Sequence, residues 1–285
     1  MKSPVLSILF LLISVTLLAV PNDFRFRHFS VEDGLSSNSV RAIMQDKYGF
    51  LWIGTEEGLN RYDGIMIKSY SICPQAAGKY ISSLYGTKKN IWIGTDEGIY
   101  IYAYATETFT YFDLTTPNNV RITSIVNHIL QDKDGNLWFS TNGQGLFRYN
   151  LSKNYLEQYE FTSAFGIVAS TMADSDNQIW ALTNQGESGV YKLNKAENKF
   201  EPFGLLYNAG NHHSQALAML EDSEQTLWLG TWECGLQKID KYTRQTTTYL
   251  HPTDGKGVTH IHSLMEYAPH QLLIGLDDGL LLFNT

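Results

Sequence analysis

The chain has 285 residues, of which 43% are hydrophobic, 18% are charged and 13% are aromatic, and its net charge is −8. This composition excludes an intrinsically disordered chain, and the aromatic content favours strands over helical bundles. The acidic balance argues against binding to a phosphate backbone, which needs clustered lysine and arginine, so no nucleic-acid partner is expected.

The chain begins with a short basic start and an apolar run from Val5 to Val20, and polar residues resume at Pro21. The run is slightly long for the core of a secretion signal and short for a membrane span. We interpret residues 1–20 as a signal peptide, with an uncleaved N-terminal anchor as the alternative. The rest of the chain is then exported, and it contacts the membrane only through this segment if the segment stays uncleaved.

Six related segments follow, and each begins with an aliphatic residue; five have tryptophan next and five end in threonine. They are Leu51–Thr55, Ile91–Thr95, Leu137–Thr141, Ile179–Thr183, Leu227–Thr231 and Leu272–Leu276. Tryptophan fills the second position in five copies and Leu273 fills it in the sixth, at intervals of 40 to 48 residues. A strand pattern precedes each segment, and a glycine turn and further strands follow it. Four strands per repeat of this length are typical of a β-propeller.

We therefore predict an all-β fold, a β-propeller of six four-stranded repeats within residues 24–285. The repeats lie at about 38–70, 80–112, 123–160, 163–203, 213–250 and 259–284. The sixth repeat lacks an outer strand, and a spare strand pattern occupies residues 24–30. We predict that this spare strand completes the last blade and closes the ring, which would remove exposed sheet edges. The alternative is an open part of a seven-bladed propeller.

The first repeat carries a recognisable motif. Phe29–Val40, followed by Gln45-Asp46 and by Leu51–Gly64, resembles the start of the two-component-regulator propeller family, and the resemblance extends from about Phe24 to the last residue. In that family the propellers form the periplasmic sensor region of hybrid two-component histidine kinases of glycan-degrading Gram-negative bacteria. The resemblance implies a periplasmic propeller that senses a glycan-derived oligosaccharide for signal transduction.

Members of this family usually continue into a second propeller, a β-sandwich, a transmembrane helix, a kinase, a receiver and a DNA-binding domain. None of these follows the sixth repeat in this sequence. We therefore expect ligand binding without kinase or other enzyme activity, and no cofactor. Dimerisation is an expectation for a full-length relative only.

The ligand site is expected on the face formed by the turns between second and third strands and by the links between blades, since loops commonly carry function. Repeats three to five have the longer turns. Trp232 is the one tryptophan outside the repeated position, and an aromatic ring among polar groups suits a sugar. The predicted ligand-binding residues are Asn142, Gln144, Asn184, Gln185, His212, His213, Trp232 and Glu233.

Two other functions stay open. A propeller glycosidase or lyase would scatter its acid–base residues among strand ends, where one sequence cannot locate them. A protein-interaction propeller would show a large exposed apolar patch. The pairs His212-His213 and His260-x-His262 suggest metal ligands, but neither has a third ligand at a recognisable spacing, so no metal site is predicted.

Overall fold

The computed structural model describes residues 26–72, 79–161, 166–183, 189–205, 215–251 and 260–285. Six antiparallel blades follow one another around a ring, so the predicted all-β propeller is confirmed. In the described ranges, five blades have four strands and the last has three. A single turn of 3-10 helix covers Val31–Asp33, and no described helix is long and apolar enough to cross a membrane.

The strands of each blade run outward in chain order. Blade 1 contains β1 (Val40–Gln45), β2 (Leu51–Thr55), β3 (Gly58–Tyr62) and β4 (Ile67–Tyr70). Blade 2 contains β5 (Ile81–Gly86), β6 (Asn90–Thr95), β7 (Gly98–Ala103) and β8 (Thr108–Tyr111). Blade 3 contains β9 (Val126–Gln131), β10 (Leu137–Thr141), β11 (Leu146–Asn150) and β12 (Tyr155–Tyr159).

The second half of the ring repeats this pattern. Blade 4 contains β13 (Val168–Ala173), β14 (Ile179–Thr183), β15 (Gly189–Asn194) and β16 (Lys199–Leu205). Blade 5 contains β17 (Ala216–Glu221), β18 (Leu227–Thr231), β19 (Leu236–Ile239) and β20 (Thr246–Tyr249). Blade 6 contains β21 (Ile261–Ala268), β22 (Gln271–Leu276) and β23 (Gly279–Asn284).

In blades 2 to 5 the second strand lies between two neighbouring sheets, which is why its sequence is apolar on both faces. All five residues of β10 are buried, and Trp138 from this strand packs with Val168 and Ile179 of blade 4. The sheets approach closely at a glycine. A Cβ atom on Gly54 would lie 2.5 Å from the Ile81 Cγ2 atom of the next blade, so a side chain would not fit there.

One aspartate organises the turn between the first two strands in four blades. In blade 5, the Asp222 Oδ2 atom accepts a hydrogen bond from Trp228 Nε1 at 2.7 Å. Its Oδ1 atom accepts from the backbone N–H groups of Glu224 and Thr226 at 3.0 and 2.8 Å. The same indole–carboxylate bond joins Asp46 to Trp52, Asp132 to Trp138 and Asp174 to Trp180, at 2.8, 2.8 and 3.0 Å. The carboxylate therefore shapes the turn and satisfies a buried indole donor at once.

Blade 2 departs from this arrangement because its turn is one residue shorter. Thr87 occupies the place of the aspartate, and its hydroxyl accepts a hydrogen bond from Asn90 N at 3.0 Å. The short hydroxyl leaves the buried Nε1 atom of Trp92 without a hydrogen-bond partner among the described residues.

The aspartate turns also connect one blade to the next. The backbone N–H of Ser223 donates to Glu266 Oε2 at 2.9 Å, and its hydroxyl donates to Glu266 Oε1 at 2.6 Å. Lys241, whose side chain is almost fully buried, donates to Asp176 at 3.1 Å and to Glu221 at 2.8 Å. These contacts tie blade 4 to blade 5 and blade 5 to blade 6 at the end of the propeller that carries the aspartate turns.

The prediction that residues 24–30 complete the last blade is wrong for the described residues 26–30, which form no strand. This segment packs on blade 1 instead. Arg27 Nη1 donates to the Tyr62 hydroxyl at 2.8 Å, and the Phe29 ring lies 4.8 Å from the Tyr62 ring. Ser30 and Asp33 then form a capping box that turns the chain away from a strand path.

The first and last blades expose apolar side chains on the faces that other blades cover. Val40 and Ile43 of β1 are 46% and 66% exposed, whereas Val126 and Ile129, which occupy the same positions in β9, are 0% and 3% exposed. Met265 and Leu280 of blade 6 are also exposed. In the described part of the chain, the ring therefore has a gap between blade 6 and blade 1.

The aspartate–indole bond leads to a stability prediction. Asp222→Ala removes the acceptor of the Trp228 indole and of two turn N–H groups, so we expect the free energy of unfolding to fall by about 2–3 kcal/mol. Thr87→Ala is the matched control, because Thr87 caps the corresponding turn but bonds no indole, and it should cost less. Urea unfolding of both variants measures the difference. Equal losses would show that the indole bond contributes nothing beyond the turn.

A buried histidine leads to a pH prediction. The Nδ1 atom of His128 on β9 is buried without a hydrogen-bond partner among the described residues, and burial lowers the pKa of His128 from its usual 6.5 to about 4. The unfolded chain takes up a proton at this residue below about pH 6.5, and the folded chain resists it until about pH 4. Stability should therefore fall by about 3 kcal/mol across that window.

His128→Gln should remove this part of the pH dependence, because the amide side chain does not titrate. As the pH is lowered across that window, the urea midpoint of the variant should fall less steeply than that of the unmodified chain. Parallel profiles would contradict the assignment to His128.

Candidate functional site

The turns between second and third strands, together with the links between blades, form one end of the propeller, here called the loop face. Its described turns belong to blades 1, 2, 3, 5 and 6. Four of the predicted ligand-binding residues, Asn184, Gln185, His212 and His213, lie outside the described residues. The other four are placed on this face, in blade 3 and blade 5.

Gln144 has a scaffold role in the turn of blade 3. Its side-chain Oε1 accepts hydrogen bonds from the backbone N–H groups of Thr123 and Ser124, at 2.9 and 3.0 Å, and its Nε2 donates to Arg121 O at 2.9 Å. The side chain therefore holds the link that enters blade 3. Asn142 in the same turn is exposed, and its backbone bridges to Ile167 of blade 4.

Trp232 opens the corresponding turn of blade 5 and is held at its backbone. Its N–H donates to Gln215 O at 2.9 Å, and the residue forms a β-bridge with His260 of blade 6. Trp232 is 39% exposed, whereas the five tryptophans of the repeated position are at most 3% exposed. Glu233 follows with a φ of 69°, a left-handed turn conformation, and is exposed. The turn thus presents one indole ring on a fixed backbone.

The structure places a histidine pair beside this ring. The centroid of the His260 ring lies 3.8 Å from that of Trp232, with 36° between the planes. His260 Nδ1 and His262 Nε2 both contact the carboxylate of Asp277, the second at 2.5 Å from its Oδ1 atom. These two bonds lower the pKa of Asp277 below its usual value. Trp232, His260, His262 and Asp277 therefore form one cluster across blades 5 and 6.

A β-bulge explains how both histidines reach the same carboxylate. The register between β21 and β22 shifts between Ile261 and Ser263, so His262 is the extra residue. Asp277 is the first residue of the turn after β22, and β22 is the strand that pairs with the bulged strand β21. The His260-x-His262 pair is visible in the sequence but its partner Asp277 is not, because Asp277 lies 15 residues after His262, in the turn after a different strand.

The described loop face is acidic. Pairs of carboxylates follow the second strand in blades 1, 2 and 6, at Glu56-Glu57, Asp96-Glu97 and Asp277-Asp278. Arg41 contacts Glu56, and this bond lowers the pKa of that carboxyl; Lys79 contacts Glu97. Each acidic pair thus has a basic or imidazole partner for only one of its two carboxylates among the contacts described here. A surplus of negative charge favours cations and disfavours anionic ligands.

Concave space also occurs at the opposite end of the propeller. A pocket of about 340 Å³ lies at the outer part of blade 5 and is lined in part by Lys238, Asp240, Lys241, Tyr242 and Gln245. Lys241 is occupied by its carboxylate partners there. This pocket is separate from the Trp232 cluster, since it lies beside the turns at the other ends of the same strands.

Comparison with known proteins finds a family profile that matches two segments of the chain. The sequence profile of the two component regulator propeller family matches residues 34–57 and 120–143. Histidine kinase P4 of Formosa agariphila is 46% identical over 68 residues, which are 24% of this chain and 5% of that protein. The chain therefore spans only a small part of this curated relative.

Solved structures share the fold. The extracellular domain of a putative hybrid two-component system from B. thetaiotaomicron is 24% identical with a TM-score of 0.74, over 90% of this chain and 35% of that chain. A virginiamycin B lyase from Staphylococcus aureus is 14% identical with a TM-score of 0.63, over 86% of this chain and 84% of that one. At these identities the likeness concerns the propeller alone. The predicted resemblance to the two-component regulator propeller family is confirmed by the profile matches, which fall in the first and third repeats.

Proposed function

We propose that this chain is a periplasmic sensor propeller of the hybrid two-component type, which binds a glycan-derived oligosaccharide on its loop face without altering it chemically. The observation that carries the proposal is Trp232, an exposed indole held on a fixed backbone among polar groups. The family of the repeats supports the sensor role.

A sugar ring needs a flat apolar surface for its C–H face and hydrogen-bonding groups around its edge. The Trp232 indole provides the surface. The exposed carboxylate of Glu233 is next to it in the sequence, and the exposed imidazole of His262 lies beside His260, whose ring contacts Trp232. The stacking of His260 on Trp232 and the β-bridge between these residues hold the ring before a ligand arrives. Less conformational freedom is then lost on binding.

The charge of the loop face narrows the ligand class. Its described turns carry carboxylates in excess of basic groups, so a sulfated or uronic-acid oligosaccharide would meet like charge. We therefore propose an uncharged oligosaccharide. In a full-length receptor, tighter binding to one arrangement of the sensor would shift the equilibrium of the distant kinase.

Trp232→Ala should weaken binding of an uncharged oligosaccharide by at least about tenfold, because it removes the central aromatic anchor. Calorimetric titration with a panel of neutral and acidic oligosaccharides measures the affinity, and a parallel assay for released reducing ends detects catalysis. Tyr242→Ala is the matched control, since Tyr242 is an exposed aromatic residue at the opposite end of the propeller.

Three outcomes would count against the proposal. Release of product would indicate a glycosidase or lyase, and a preference for acidic sugars would contradict the proposed ligand class. Unchanged affinity in the Trp232→Ala variant would remove this residue from the site.

The proposed role of Gln144 as a ligand residue is tested separately. Because its side chain makes four hydrogen bonds to the link before blade 3, Gln144→Ala should lower the free energy of unfolding by about 1–3 kcal/mol. Urea unfolding and sugar titration of the same variant separate the two roles. Weaker sugar binding at unchanged stability would indicate direct contact with the ligand, whereas lost stability alone would indicate a scaffold role.

A further inference from the structure

His260, His262 and Asp277 form the one group of potential metal ligands of this kind found among the described residues. One ligand atom from each residue lies within 4.8 Å of the other two. Ions of the zinc type bind imidazole nitrogen and carboxylate oxygen at about 2.0–2.2 Å. Ligand atoms around such an ion are therefore within about 4 Å of one another, so small side-chain rotations bring these three into coordination.

The chemistry of the three groups suits a borderline divalent cation. Two imidazole nitrogens and one carboxylate are typical ligands of zinc, nickel, copper and iron, whereas magnesium and calcium prefer oxygen alone. His262 and Asp277 are about half exposed, so the site opens to solvent on one side. Asp278, in the turn of Asp277, and Glu233, in the turn of Trp232, add negative charge, which favours a cation further.

Blade 1 shows what an ordinary ion pair looks like at the same positions. Its bulge residue is Arg41, and the first residue after its second strand is Glu56; these correspond to His262 and Asp277. Arg41 and Glu56 form a salt bridge. An arginine side chain has only hydrogen-bond donors, so in the blade 1 pair the Glu56 carboxylate is the one group that can ligate a metal. Blade 6 replaces the guanidinium with an imidazole and adds a second imidazole at His260.

The Trp232 ring supports the metal site from outside. It covers one face of His260 at 3.8 Å between centroids and so restricts the rotation of that imidazole. Groups that orient a ligating histidine commonly raise the affinity of a metal site. The indole also lies close enough to report on an ion bound at His260.

We propose that His260, His262 and Asp277 bind one divalent transition-metal ion of the zinc type, with the remaining coordination positions open to water or to an oxygen atom of a ligand on the loop face. Metal binding at this cluster does not require the proposed oligosaccharide function, so the two proposals fail independently.

The test uses the untagged chain after removal of bound metal with a chelator. Titration with Zn²⁺ in a calorimeter should show saturable binding of one ion per chain. His262→Ala and Asp277→Asn should each weaken this binding by at least about tenfold. His270→Ala is the matched control, because His270 is an exposed histidine beside Glu224 at the opposite end of the propeller, and it should leave the affinity unchanged.

A second readout places the ion. Cu²⁺ quenches tryptophan emission at short range, and Trp232 is the exposed tryptophan, so one quenching phase should saturate with one equivalent of Cu²⁺. Trp232→Phe should abolish that phase while preserving Zn²⁺ binding. The proposal is overturned if the chain shows no saturable Zn²⁺ binding, or if His262→Ala and Asp277→Asn bind Zn²⁺ like the unmodified chain. Quenching that persists in both of those variants would also overturn it.

Discussion

The hydrogen bond from a buried indole to an aspartate carboxylate is the interaction that organises four of the six blades. A tryptophan fills the space between two sheets at the lowest cost when its N–H group finds an acceptor there, because an unsatisfied buried donor, such as Trp92 Nε1 in blade 2, costs free energy. In blade 5 the acceptor is Asp222, whose second oxygen also caps the turn that leads into the tryptophan strand. One aspartate side chain thus fixes the turn and also satisfies the tryptophan that packs in the core.

This arrangement places a set of contacts between blades at the end of the propeller opposite the loop face. The aspartate turns lie there, and so do the contacts from Ser223 to Glu266 and from Lys241 to its carboxylate partners, which connect neighbouring blades. The loop face at the other end is then free to vary in length and chemistry. A rigid scaffold with a variable face suits recognition, because a side chain such as Trp232 can be held in place without contributing to the core.

The repeat made the fold predictable from the sequence, and its limits explain what was missed. The tryptophan position and the close approach at Gly54 recur with the period of the blade, so a pattern could reveal them. The path of residues 26–30 does not recur: it depends on the packing of Phe29 against Tyr62 and on the turn capped by Ser30. A strand-like composition alone could not distinguish that path from an added strand.

The candidate site was only partly predictable for the same reason. Trp232 stood out because it breaks the repeat, but its ring contact with His260 joins two blades, and the sequence of neither blade reveals it. No sequence pattern singled out Asp277, because its contacts with both imidazoles depend on the pairing of β21 with β22.

Comparison of blade 1 with blade 6 shows how a repeat protein can change function without changing its backbone. The same bulge and the same turn present Arg41 and Glu56 in one blade and His262 and Asp277 in the other. The first pair neutralises itself as a salt bridge. The second pair, joined by His260, keeps lone pairs that can ligate a cation. Because these exchanges lie on the loop face and not in the core between the blades, they alter the chemistry of the surface while the fold beneath it persists.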